Sequence, residues 1–185
     1  PAAILLIGLL AALGLIGEGA MYDWSTLYLA KTLKSPQALA ALAYGSFSAA
    51  MALARFGGDA LRARIGAKRT LCFSSALAAI AMAITLAIAH PVAALIGFAL
   101  VGIGFANMIP VLFSCAAQVP GVTPAQGIAG VSSCGYMGFM VGPPLIGLIA
   151  HRWGLDRGLL VVAVFAALVA LLSPQALRIA RLRGH

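Results

Sequence analysis

The chain has 185 residues, 63% of them hydrophobic and 9% charged, whereas a soluble domain covers its surface with roughly 25% charged residues. That composition excludes a water-soluble globule. The net charge of +8 would suit a nucleic-acid partner in a soluble protein, but the cations here sit at the ends of apolar runs with no aromatic residues interleaved, so no nucleic acid is expected and the charge reads as topology charge facing an anionic bilayer surface.

A helix needs about 20 apolar residues, at about 1.5 Å each, to cross the hydrocarbon core of a bilayer. Six segments meet that length, at about 2–30, 38–58, 70–89, 92–118, 126–150 and 157–172, followed by a basic tail over 173–185. Lys31, Lys34-Ser35-Pro36, His90-Pro91, Pro120-Gly121 and Ser173-Pro174 supply the stops. The predicted class is all-α, a polytopic membrane protein of six transmembrane helices, because a single-chain barrel would show short alternating strands instead. Seven cations (Arg62, Arg64, Lys68, Arg69, Arg178, Arg181, Arg183) against four (Lys31, Lys34, Arg152, Arg157) place both termini in the cytoplasm. Tyr22, Trp24 and Tyr28 fit an aromatic belt at the outer interface. Pro1 leads straight into an apolar run, with no charged region before it, and the chain is therefore expected to be part of a longer protein.

In the first span a Gly-rich interruption, Gly14-Leu15-Ile16-Gly17-Glu18-Gly19, carries one acid at membrane depth. An ionised carboxylate there is expensive, so a role as proton or substrate ligand competes with a plain hydrogen bond to a neighbouring helix. Tyr22 falls on the same helical face. The fourth span carries a similar segment, Gly102-Ile103-Gly104-Phe105-Ala106-Asn107, at a matching place in a second set of three spans. Two three-helix inverted repeats with interrupted segments at equivalent positions point to a transporter's binding site. Pro110 frees the carbonyl of Ala106 from its helical partner, next to Asn107. Asn107 reads equally as a substrate contact or as a bond between helices. The fifth span combines many glycines with Pro143-Pro144, so it must bend or be backed by a neighbour. Gly138 and Gly142 supply a smooth packing face, and Tyr136 is a candidate cavity residue.

Nucleotide-binding, zinc-protease and serine-hydrolase motifs are all missing from the sequence, and His90, His151 and His185 stand at span ends or in the tail. No cofactor, metal site or enzymatic activity is expected. Cys72, Cys115 and Cys134 stand singly in apolar segments and read as buried thiols.

Three stretches resemble the major facilitator superfamily, specifically the C-terminal six-helix half of its transporters and most nearly the bacterial branch related to fucose permeases. They are Glu18-Gly19-Ala20-Met21-Tyr22-Asp23-Trp24, the segment from Arg55 to Gly66, and Gly135-Tyr136-Met137-Gly138-Phe139-Met140-Val141-Gly142-Pro143-Pro144. The middle stretch is similar to the superfamily's cytoplasmic Gly-Asp-Arg loop, carried here by Gly58, Asp59, Arg64, Gly66 and Lys68, with Ala63 in place of the usual Asp. Arg55 and Asp59 are also spaced for a helix-end salt bridge. The resemblance implies a secondary transporter of the bacterial inner membrane, working by alternating access on a small polar solute, whose cavity is lined by the first helix of each repeat, where Glu18, the expected proton-coupling residue, and Asn107 lie. It also implies an N-terminal six-helix half absent from this chain. The alternatives are the permease subunit of an ATP-driven transporter, which would need a long cytoplasmic coupling loop, and a membrane-embedded enzyme, which would need a catalytic dyad or metal set.

Overall fold

A computed structural model describes the backbone of residues 2–182 and the side chains of residues 2–178. Among the described residues the secondary structure is helical throughout: α1 (Ala2–Leu27, continued by a wider turn over Tyr28–Thr32), α2 (Gln37–Ile65), α3 (Ala67–Ile88), α4 (Pro91–Ala106), α5 (Met108–Ala116), α6 (Pro124–Trp153) and α7 (Leu155–Leu182). With α4 and α5 taken as one broken span, six helices are long and apolar enough to cross a membrane.

The connections are shorter than expected. The predicted spans leave residues 59–69 between them, yet α2 continues to Ile65 and only Gly66 separates it from α3. Ala60, Leu61 and Arg62 are good helix formers and nothing between Gly58 and Gly66 breaks the helix. Gly66 has φ of 83° and Gly154, between α6 and α7, has φ of 93°. Each single-residue turn needs a backbone conformation that side-chain-bearing residues rarely adopt.

The sixth span also passes its predicted end. Pro174 removes the donor for the Ala170 carbonyl, but Ser173 Oγ donates to that oxygen at 3.3 Å and Cys72 Sγ of α3 lies 3.5 Å from it. The freed backbone group is satisfied by side chains, and the helix continues to Leu182. Of the predicted tail, residues 183–185 lie outside the described residues.

The helix α6 starts on a capping box in which Thr123 Oγ1 accepts from the Gln126 backbone N–H and the Gln126 side chain accepts from the Thr123 backbone N–H. Thr123→Ala is expected to lower stability by about 1 kcal/mol, read as a lower melting temperature in detergent.

The helix α1 is the centre of the bundle, packed most extensively on α6 and α7 and touching α2 and α5 as well. Outside it, α2 packs on α4, and α3 on α4 and α7. Ile7, Leu10, Met21, Phe47, Leu71, Met82, Phe98, Phe105 and Leu112 fill the interior. By contrast α2 and α6 each present most of their apolar surface outward, with Phe56 88% exposed. Two of the aromatic-belt residues sit inside instead: Tyr28 is buried with its ring edge towards Phe98, and Tyr22 is turned into the contact between α1 and α2.

Candidate functional site

The expected interruption at Gly14–Gly19 does not break α1, which is helical through all of it. The glycines serve close packing: a Cβ on Gly17 would fall 2.6 Å from the ring of Phe105, and one on Gly14 would meet the sulfur of Met108. These two partners flank Asn107, where the fourth span does break. Pro110 cannot donate to the Ala106 carbonyl, and Asn107 (φ −103°, ψ −3°) separates α4 from α5. The unbroken glycine-rich turns of α1 are thus seated against the broken span.

Glu18 lies about 24 Å along α1 from its start at 1.5 Å per residue, inside the membrane-crossing stretch. Its Oε1 accepts a hydrogen bond from the Tyr22 hydroxyl at 3.2 Å, one turn further on. The same oxygen is 3.5 Å from Nη2 of Arg55 on α2. Met51, one turn before Arg55, closes the ring of contacts, its sulfur lying 3.2 Å from Arg55 Nη2 and 3.8 Å from the Tyr22 hydroxyl. The Tyr22 ring packs edge-on against Phe47 and is tilted against Tyr44, with centroids 5.4 and 5.6 Å apart. The pair is asymmetric: the Glu18 side chain is 11% exposed and that of Arg55 50%. A carboxylate in an apolar bundle is therefore compensated by a cation that is itself half exposed on α2.

Gly58 lies on α2 one turn beyond Arg55, and a Cβ there would overlap Oδ1 of Asn107. One face of α2 consequently meets both interrupted-segment candidates, Glu18 through Arg55 and Asn107 through Gly58. Arg55, expected with the cytoplasmic loop residues, lies among the membrane-depth residues, and its ionic partner is Glu18 rather than Asp59. Asp59, Arg64, Gly66 and Lys68 are all exposed at the turn between α2 and α3. Asp59, Arg64 and Lys68 form no ion pair among the described residues, where the second pair is Asp156 with Arg157 at the start of α7.

Tyr136 is 67% exposed on α6, and no hydrogen bond or ring contact joins it to this cluster. Gly138 and Gly142 face α1, where Cβ atoms would come within 2.7 Å of the Ala12 carbonyl and 3.3 Å of Ile16. Pro143 and Pro144 sit inside α6, which remains one helix through them. Sequence reasoning missed Met51, Phe47 and Tyr44. Their signal was helical spacing from Arg55, visible only if Arg55 is placed inside the span. Among the described residues no three His, Cys, Asp or Glu side chains come together as metal ligands.

Residues 3–180 match the family model of the Major Facilitator Superfamily. Membrane protein MosC of Rhizobium meliloti is 38% identical over 170 residues, covering 92% of this chain and 42% of that protein. An uncharacterized MFS-type transporter of Yersinia pestis is 33% identical, covering 90% of this chain and 44% of its own length. An uncharacterized transporter of Sinorhizobium fredii is 35% identical, covering 92% and 45%. The chain thus spans less than half the length of the curated relatives it matches. Six apolar helices around a buried acid, and a family match over nearly the whole chain, establish it as a membrane protein of the Major Facilitator Superfamily.

Proposed function

We propose that the chain is the C-terminal six-helix half of a proton-coupled secondary transporter for a small polar solute in a bacterial inner membrane. Glu18 is the proton-carrying residue, and Asn107 and Tyr22 line the solute path. The observation that carries this reading is the Glu18–Arg55 pair, because an acid held at membrane depth by one long, monodentate contact to a half-exposed cation can change its protonation and its partner. Both charges sit in the zone where α1, α2 and the broken fourth span converge.

Alternating access is then a rocking of this bundle against a second one supplied by the N-terminal half of the protein. The sparsely buried helices α2 and α6 offer the apolar faces for that contact or for lipid. The side bearing Arg62, Arg64, Lys68 and Arg69 is cytoplasmic, which puts the start of α1 and the end of α7 there as well. The one-residue turn at Gly66 leaves no long coupling loop to grip an ATPase between α2 and α3, which weighs against the ATP-driven alternative.

The test uses the protein as its gene encodes it, reconstituted in vesicles with an imposed pH gradient. Solute accumulates only while the gradient is present, and a protonophore collapses it. Accumulation that continues unchanged after the protonophore sinks proton coupling.

A further inference from the structure

We propose that Arg55 is the anchor for a solute carboxylate, so that the transported solute is a small organic acid. This rests on the transporter reading above and narrows its solute class.

The first ground is the unused half of the guanidinium. Both contacts of Arg55, to Glu18 Oε1 and to Met51 Sδ, are made by the single nitrogen Nη2. Among the described residues no acceptor meets Nη1 or Nε. A thioether is a weak acceptor, and 3.5 Å is longer than a charge-assisted hydrogen bond of about 2.7–2.9 Å. Glu18 therefore neutralises the cation without filling its donors, and a guanidinium in that state keeps the planar fork that binds a carboxylate through two parallel bonds.

Access is the second ground. Arg55 is half exposed where Glu18 is nearly covered, so an arriving solute meets the cation first. Its anion would add to the free edge of the guanidinium without first displacing the acid.

A third ground is what surrounds the fork on α2. Tyr44, Ser48 and Arg55 are spaced by four and seven residues, which puts them on one helical stripe. The guanidinium leans back over the turn of Met51, as the contact between them shows. Tyr44 is about half exposed and offers a ring for the body of the solute. The Ser48 hydroxyl is buried with no hydrogen-bond partner among the described residues, a polar group on the same stripe that a hydroxyl or oxo oxygen of the acid could satisfy.

The experiment measures thermal stabilisation of the detergent-solubilised protein, as encoded by its gene, with two matched pairs at equal ionic strength: sodium lactate against glycerol, and sodium gluconate against glucose. At least one acid is expected to raise the melting temperature while its neutral counterpart does not. Arg55→Gln is expected to weaken that binding by about tenfold or more. Arg55→Lys keeps the charge that Glu18 needs but loses the fork, and is expected to bind nearly as poorly, which keeps the test decisive should Arg55→Gln fail to fold. Glu18→Gln removes the negative charge that partly neutralises the guanidinium and is expected to tighten binding of the acid. Stabilisation by the neutral members equal to that by the acids, no stabilisation by either acid, or full binding by Arg55→Lys overturns the proposal. Gradient-driven uptake of a neutral solute would overturn it too while leaving the transporter reading intact. Uptake of an acid that ignores the protonophore would instead strike the coupling reading alone.

Discussion

Glu18→Gln is expected to lower pH-gradient-driven accumulation by about two orders of magnitude, the size of effect that follows from removing a positioned proton-transfer group. Counterflow exchange, with solute on both faces and no gradient, is expected to keep most of its rate. The amide is isosteric with the neutral acid and can still accept from the Tyr22 hydroxyl and from Arg55 Nη2, so the geometry at 3.2 and 3.5 Å survives. What it loses is the ability to titrate. Folding is expected to change little, because the cation left without its counter-charge is Arg55, whose side chain is 50% exposed and not sealed in the interior. Glu18→Asp is the control: it can titrate but is one methylene short of both partners, and partial coupling is expected. Equal gradient dependence in Glu18→Gln and the unmodified protein would remove Glu18 from the coupling mechanism.

The largest loss of folded protein is expected from side chains added where helices touch through glycine. A Cβ on Gly102 of α4 would overlap the backbone carbonyl oxygen of Phe47 on α2, and one on Gly127 of α6 would overlap that of Ala116 at the end of α5. Backbone atoms cannot rotate out of the way as a flexible side chain can, so the helices must move apart. Overpacking of this kind costs about 1–3 kcal/mol for small additions, and the valine variants are expected to exceed the alanine ones. In Gly102→Val the separation falls on the α2–α4 contact, which also sets Gly58 against Asn107 and Arg55 against Glu18, so transport is expected to fail together with stability. Gly45→Ala and Gly57→Ala on α2 are the matched controls, since nothing lies within 4 Å of the added Cβ. They are expected to be neutral or to gain up to about 1 kcal/mol from helix propensity. Melting curves in detergent separate the two groups, and equal shifts for Gly102→Ala and Gly45→Ala would contradict the packing described here.

These two groups of glycines look alike in the sequence. Gly57 and Gly58 are neighbours, yet a Cβ on the first meets open space and one on the second meets Asn107. Adjacent helix positions differ by about 100° in direction, and which direction faces a neighbour depends on how each helix is rotated. Arg55 shows the same limit. Its spacing from Asp59 suits a helix-end salt bridge as well as any sequence argument can, while its actual partner lies on another helix. Pro110 and Pro174 make the point for backbone. Each removes one donor, but the span breaks at Asn107 in the first case and continues in the second, where Ser173 and Cys72 take up the freed carbonyl.

Composition and run length alone determined that this is a six-span helical membrane protein, because a segment that must bury its backbone polar groups in oil has few ways to do so and the number of apolar runs sets the number of crossings. The acid in the first span was legible for a related reason: a carboxylate among apolar residues stands out at any rotation of the helix. Its partner was not. Only the tertiary structure decided that Arg55 meets Glu18, that Gly58 meets Asn107 and that Tyr22 turns inward, since contacts between different helices are set by close packing of whole surfaces, and helical spacing within one segment carries no information about the segment beside it.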